Sequence, residues 1–135
     1  MSSRTRRRVV EAPSRKKLPP ELRSIRIGFE PDPFVDETTT AYLRQEGFED
    51  RLAAYEKDEF DFVYARAEAE VVIEEIMQVL TSAGLYGIES DTDEEALSQI
   101  VSDEWIALRK VLTAVGVPTE QLPLEVDRTW VEWRM

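Results

Sequence analysis

The sequence predicts an α+β domain: a small antiparallel sheet of about three strands, packed by a long C-terminal helix and a shorter helix, with a basic N-terminal arm. Three observations carry this. In FDFVYARAEAEVVI the odd positions Val63, Ala65, Ala67, Ala69, Val71 and Ile73 are apolar and Arg66, Glu68 and Glu70 fall between them, the period-2 mark of a sheet with one buried face. Only Glu74-Glu75 separates this run from the next apolar one, too short a link for a parallel crossover, so the two strands are antiparallel. Leu97, Ile100, Val101, Trp105, Leu108, Leu112 and Val115 then recur at helical spacing, and Gly116-Val117-Pro118 supplies a stop.

Taken in order, MSSRTRRRVVEAPSRKKLPPEL has dense charge, three prolines and little apolar periodicity, which predicts a disordered or partner-ordered arm over residues 1–23 and a single acidic domain over 24–135. SIRIGFEPDPF alternates Ile25, Ile27 and Phe29 with Arg26, Gly28 and Glu30 before two prolines, and reads as a short first strand. Phe48, Leu52 and Tyr55 predict a helix from about Glu46 to Lys57, with Tyr42-Leu43 docking ahead of it. The central run competes with a helical reading, since Ala, Arg and Glu favour helices, but the aromatic and valine residues at its ends favour a strand. Its three alanines leave room for a helix to approach closely. IMQVLTSAGLYGI predicts a second long strand, bulged or bent near Gly84 and Gly87. TEQLPLEVDRTWVEWRM either completes the core or offers Trp130 and Trp133 as interface anchors.

Composition closes off much chemistry. The chain has 135 residues, 42% of them hydrophobic, enough for one core, and no apolar run long enough for a bilayer span or a secretory signal, which predicts a soluble cytoplasmic protein. It holds no cysteine and no histidine, so disulfides, thiolate nucleophiles, Cys- or His-ligated metals and imidazole bases are excluded. No phosphate-binding loop or nucleophile elbow is present, and no cofactor is implied.

The net charge of −11 hides a polarity. Residues 1–26 hold nine Lys/Arg against Glu11 and Glu21, a net +7, which leaves −18 on the remainder. Arg4, Arg6, Arg7, Arg8, Arg15, Lys16 and Lys17 are candidate contacts to a polyanion or a partner. They can neutralise phosphates but have no interleaved aromatic to stack on bases, so any nucleic-acid contact is weak, indifferent to sequence and steeply reduced by salt.

GLYGIESDTDEEAL sets five acidic residues within seven positions. A calcium loop starting at Asp91 would need glycine at its sixth position and glutamate at its twelfth, where Ala96 and Ser102 stand. A capping box needs less: Thr92 accepts from exposed backbone amides and Glu95 reaches back. Glu89, Asp91, Asp93 and Glu94 also form a candidate acidic contact surface.

The same stretch, between a strand and an acidic helix ending ALRKVLTAVGV, resembles a group of small uncharacterised proteins from actinobacteria and their phages, often with Trp in place of Tyr86. The resemblance extends back through RLAAYEKDEFDFVYARAEAEVVI to cover roughly residues 50–117. It implies a shared strand-to-helix unit and no particular activity.

The functional expectation is a non-enzymatic interaction protein, a phage or mobile-element accessory factor acting through its acidic body and basic arm on a protein partner. One alternative is an acidic nucleic-acid mimic that occupies the basic groove of a defence or DNA-handling protein. The other is an enzyme that gathers Glu89, Asp91 and Asp93 around Mg²⁺. The oligomeric state is open.

Overall fold

The computed structural model describes residues 18–135. Strand β1 (Glu21–Pro31) lies antiparallel to β2 (Phe62–Ile73), and a two-residue turn at Glu74-Glu75 leads into β3 (Ile76–Thr81), antiparallel along the other edge of β2. Between β1 and β2 come α1 (Glu37–Thr40), a short 3-10 turn and α2 (Glu49–Glu56). After β3 the chain forms β4 (Leu85–Glu89), α3 (Glu94–Ala114) and, following two 3-10 turns, β5 (Val131–Trp133), which runs parallel to β1.

The sheet therefore has five strands rather than about three, for two physical reasons. The long strand expected over IMQVLTSAGLYGI is broken at Ser82–Gly84, and its two pieces pair with successive stretches of β2. At the break Gly84 takes φ +92°, and a Cβ there would sit 3.2 Å from the carbonyl oxygen of Ala65, so only glycine lets the chain press this close. The C-terminal segment also adds β5 to the opposite edge.

β1 begins at Glu21, inside the stretch assigned to the arm, with Glu21 opposite Val72 and Leu22 opposite Val71. α2 is shorter than expected, Glu49–Glu56, because Gly47 at φ +96° stands before it in a turn. α1 was not legible. It is a single turn in which the Asp36 carboxylate accepts from the Thr39 N–H and the Thr39 hydroxyl accepts from the Asp36 N–H.

The alanine face behaves as its spacing requires. Ala65, Ala67 and Ala69 are fully buried with Val63 and Val71, and α3 covers them with Val101, Trp105, Leu108 and Leu112. Losing one of the fully buried leucines would cost about 2–5 kcal/mol through transfer and cavity terms. Glu104, also buried, accepts a 2.7 Å hydrogen bond from the Ser82 hydroxyl, whose oxygen in turn accepts from the Ala67 N–H. The break after β3 is thus tied to both β2 and α3. On the opposite face, at the start of β2, Leu43, Phe60 and Phe62 form a smaller cluster under Tyr42, Leu52 and Tyr55. Among the described residues no helix is long and apolar enough to cross a membrane.

Candidate functional site

The residues singled out in the acidic stretch are mostly occupied with one another's neighbours. Arg51, from α2, donates to both oxygens of Asp91, at 2.9 and 2.7 Å, and to Glu89 at 2.6 Å. Its guanidinium also lies 4.1 Å over the ring of Phe60, and the Tyr42 hydroxyl donates to the other oxygen of Glu89. Hydrogen bonding from Arg51 holds the Asp91 carboxyl below its ordinary pKa. Burial, and then donation to Glu89, push the Tyr42 hydroxyl well above the ordinary tyrosine value.

Asp93, rather than Thr92, is the N-cap of α3, its carboxylate accepting from the Ala96 N–H at 2.9 Å. Thr92 instead donates to the Glu89 carbonyl within the preceding turn, so the expected Thr92–Glu95 capping box is not formed. Glu94 is exposed and lies 3.7 Å from Arg128. Glu89 and Asp91 meet at Arg51, whereas Asp93 is taken up by the cap of α3. Among the described residues no group of three acidic side chains could hold a metal ion. The basic candidates Arg4, Arg6, Arg7, Arg8, Arg15, Lys16 and Lys17 lie outside the described residues.

A second cluster escaped sequence reasoning. Arg134, just past β5, donates to Glu30, Glu68 and Glu132 at 3.1, 2.6 and 2.7 Å. It lies flat on the sheet because Gly28 is beneath it, where a Cβ would come within 2.6 Å of the guanidinium carbon. Burial opposes the charge on Arg134, but bonding to Glu132 and Glu68 outweighs it and raises the pKa. Three carboxylates are thereby held by one guanidinium on the face that α3 does not cover.

An apolar face is open beside α3. One side of α3 turns Leu97, Val101 and Ile106 toward the C-terminal segment, which stands off from the helix. The segment is held at several points. Leu122 is buried, the Trp105 indole N–H donates to the Pro123 carbonyl at 3.1 Å, and Trp130 meets Trp105 edge to face at 5.2 Å. The Asp127 carboxylate accepts from the Thr129 N–H and fixes the last turn. Trp133 stacks on Phe29 at 4.4 Å. The two expected anchors thus divide, Trp130 half-buried against the core and Trp133 exposed.

Between helix and segment lies a groove of about 500 Å³. Leu124 is 78% exposed, Ile106 50% and Trp133 44%, so its walls display apolar side chains to solvent. Ser98, Ser102, Glu94, Glu125 and Arg128 supply polar groups around it. Among the described residues no hydrogen bond joins either serine to a carboxylate or an amine that would activate it. The groove is suited to taking an apolar side chain and hydrogen-bonding its flanks. Periodicity showed the apolar stripe of α3 but could not show that Ile106 points away from the core, since that depends on where the C-terminal segment lies. The chain matches no family model, no curated protein and no solved structure.

Proposed function

We propose that the chain is a non-enzymatic protein-interaction module whose groove between α3 and the C-terminal segment takes an apolar stretch of a partner protein flanked by Lys or Arg. The observation that carries this is the gathering of exposed Leu124, Ile106 and Trp133 around one open groove. Aromatic and aliphatic anchors in such a setting dominate binding energy, and the polar groups around them fix orientation. Basic flanks follow from charge. Residues 27–135 carry a net −18, and at the groove Glu94 and Glu125 outnumber Arg128, so Lys and Arg are attracted and acidic segments repelled.

The acidic-mimic reading gains nothing from the site. A mimic needs carboxylates free to replace phosphates, whereas Glu89 and Asp91 are held by Arg51, and Glu30, Glu68 and Glu132 by Arg134.

The test is a random-peptide library displayed on phage and panned against the immobilised full-length chain. Peptides with aliphatic or aromatic anchors beside Lys or Arg should be enriched, and Leu124→Asp and Ile106→Asp should abolish the enrichment. Equal enrichment on those variants would sink the proposal.

A further inference from the structure

The three outer strands of the sheet treat their edges differently. β5 is three residues long and followed by Arg134, which locks onto Glu132, so this edge is short and charged. β4 has its Gly87 N–H taken by the Asp32 carboxylate at 2.7 Å. β3, by contrast, is six residues of IMQVLT, without charge, proline or glycine, in a chain 33% charged. Ile76 is 60% exposed, Met77 49% and Val79 56%. An uncharged, unbulged apolar edge is what folded proteins ordinarily avoid, because its free N–H and C=O groups recruit another strand.

The phase of the ladder shows which groups are free. The Ser82 N–H donates to the Ala67 carbonyl, continuing the register that sets Leu80 opposite Ala69 and Gln78 opposite Val71. Antiparallel pairing alternates, so residues 76, 78 and 80 turn their backbone groups toward β2, and Met77, Val79 and Thr81 turn theirs outward. Among the described residues nothing pairs with that outward edge.

We propose that β3 pairs antiparallel with β3 of a second copy of this chain, about a two-fold axis at Gln78. In that register Met77 faces Val79 of the other copy on one face of the joined sheet. Ile76 faces Leu80 on the other, and Gln78 meets its own counterpart. Apolar therefore meets apolar at four places, and the outward N–H and C=O groups of Met77 and Val79 bond reciprocally. The charges are compatible as well: Glu75 falls opposite Thr81 and Glu74 opposite Ser82, so no two acids are opposed across the edge. Along β3 two chains of net −11 can meet without facing carboxylates. The contact is one short strand per copy, less than the roughly 800 Å² per partner of a standard interface. The dimer is therefore weak and reversible. Its strength rises with added salt, which screens the repulsion between the two acidic bodies.

The test uses the full-length chain, which has no cysteine of its own. Gln78→Cys should form a disulfide dimer on mild oxidation. Residues paired outside the hydrogen-bonded positions have Cα atoms about 4.5 Å apart, within disulfide reach. Val79→Cys, displaced two residues from its counterpart, and Ile106→Cys, on α3, should cross-link far less. In sedimentation velocity the unmodified chain should shift from one to two chains as concentration rises. Val79→Pro removes only an outward N–H and should remain monomeric; Val79→Lys, whose circular dichroism is compared with that of the parent, guards against a folding defect. A single-chain mass up to roughly millimolar concentration, the weak limit of specific association, would overturn the proposal. So would equal cross-linking at positions 78 and 106, or a dimer that survives both Val79 variants.

Discussion

Replacing Arg51 by Met removes the cation that Glu89 and Asp91 share while keeping a long side chain over Phe60. Three charge-assisted hydrogen bonds are lost. Each would be worth about 1.5–3 kcal/mol if shielded from water. They are not shielded, since the Arg51, Glu89 and Asp91 side chains are 35%, 25% and 42% accessible, so water replaces much of what is lost. Exposed pairs contribute about 0.2–1 kcal/mol each. With the bidentate geometry and the Tyr42 hydroxyl left on an uncompensated Glu89, the expected cost is about 1–2 kcal/mol. For a domain of this size that lowers Tm by about 4–8 °C.

The pH dependence has a defined sign. Asp91 is held below its ordinary value of 3.8, so its contribution is fully present above that pH and is lost as pH falls through the folded-state value. The gap in Tm between parent and variant, followed by circular dichroism, should be full at pH 7 and close in strong acid. At the alkaline end the sign reverses. The raised Tyr42 pKa contributes stability below the ordinary value of 10.0, and that contribution disappears as pH rises through the folded-state value. An Arg51→Met melt within about 1 °C of the parent at pH 7, or a gap unchanged at pH 3, would refute the reasoning.

Two further outcomes follow from the backbone. Asp93→Ala should destabilise the fold by about 0.5–2 kcal/mol in urea titration, and more than Thr92→Ala, because Asp93 is the residue that caps α3. Glu75 sits at φ +71° in the turn between β2 and β3, a conformation costing a side-chain-bearing residue about 1–2 kcal/mol. Glu75→Gly should raise the urea midpoint by a net stabilisation of up to about 1 kcal/mol, the extra flexibility of unfolded glycine offsetting part of the relief.

The parts of this fold that could be read from sequence are those in which one element's own spacing decides its environment. β2 alternates over its length because one face is covered by α3, and α3 shows its stripe because it spans 21 residues. The break at Ser82–Gly84 was legible as a bend but not as a division into two strands, since that depends on how Gly84 approaches Ala65. β5 has only three residues, too few to show a period. Thr92 and Asp93 are adjacent and both chemically able to cap, so one-residue precision lay beyond composition. The Arg51–Asp91 and Arg134–Glu68 pairs join residues 40 and 66 positions apart, and no local spacing encodes them. Half of the groove was present as an apolar stripe, and the other half depends on the path of residues after Pro118.

The central claim is that the groove between α3 and the C-terminal segment is where a partner docks. Its most direct measurement is tryptophan emission during titration with a panned peptide, because Trp133 stands exposed at the groove while Trp105 is buried beneath it. A saturating blue shift that disappears in Trp133→Phe is the expected result, with Leu124→Asp weakening the affinity by at least about tenfold, or 1.4 kcal/mol. Binding that leaves the emission unchanged and is indifferent to Leu124→Asp would contradict the claim.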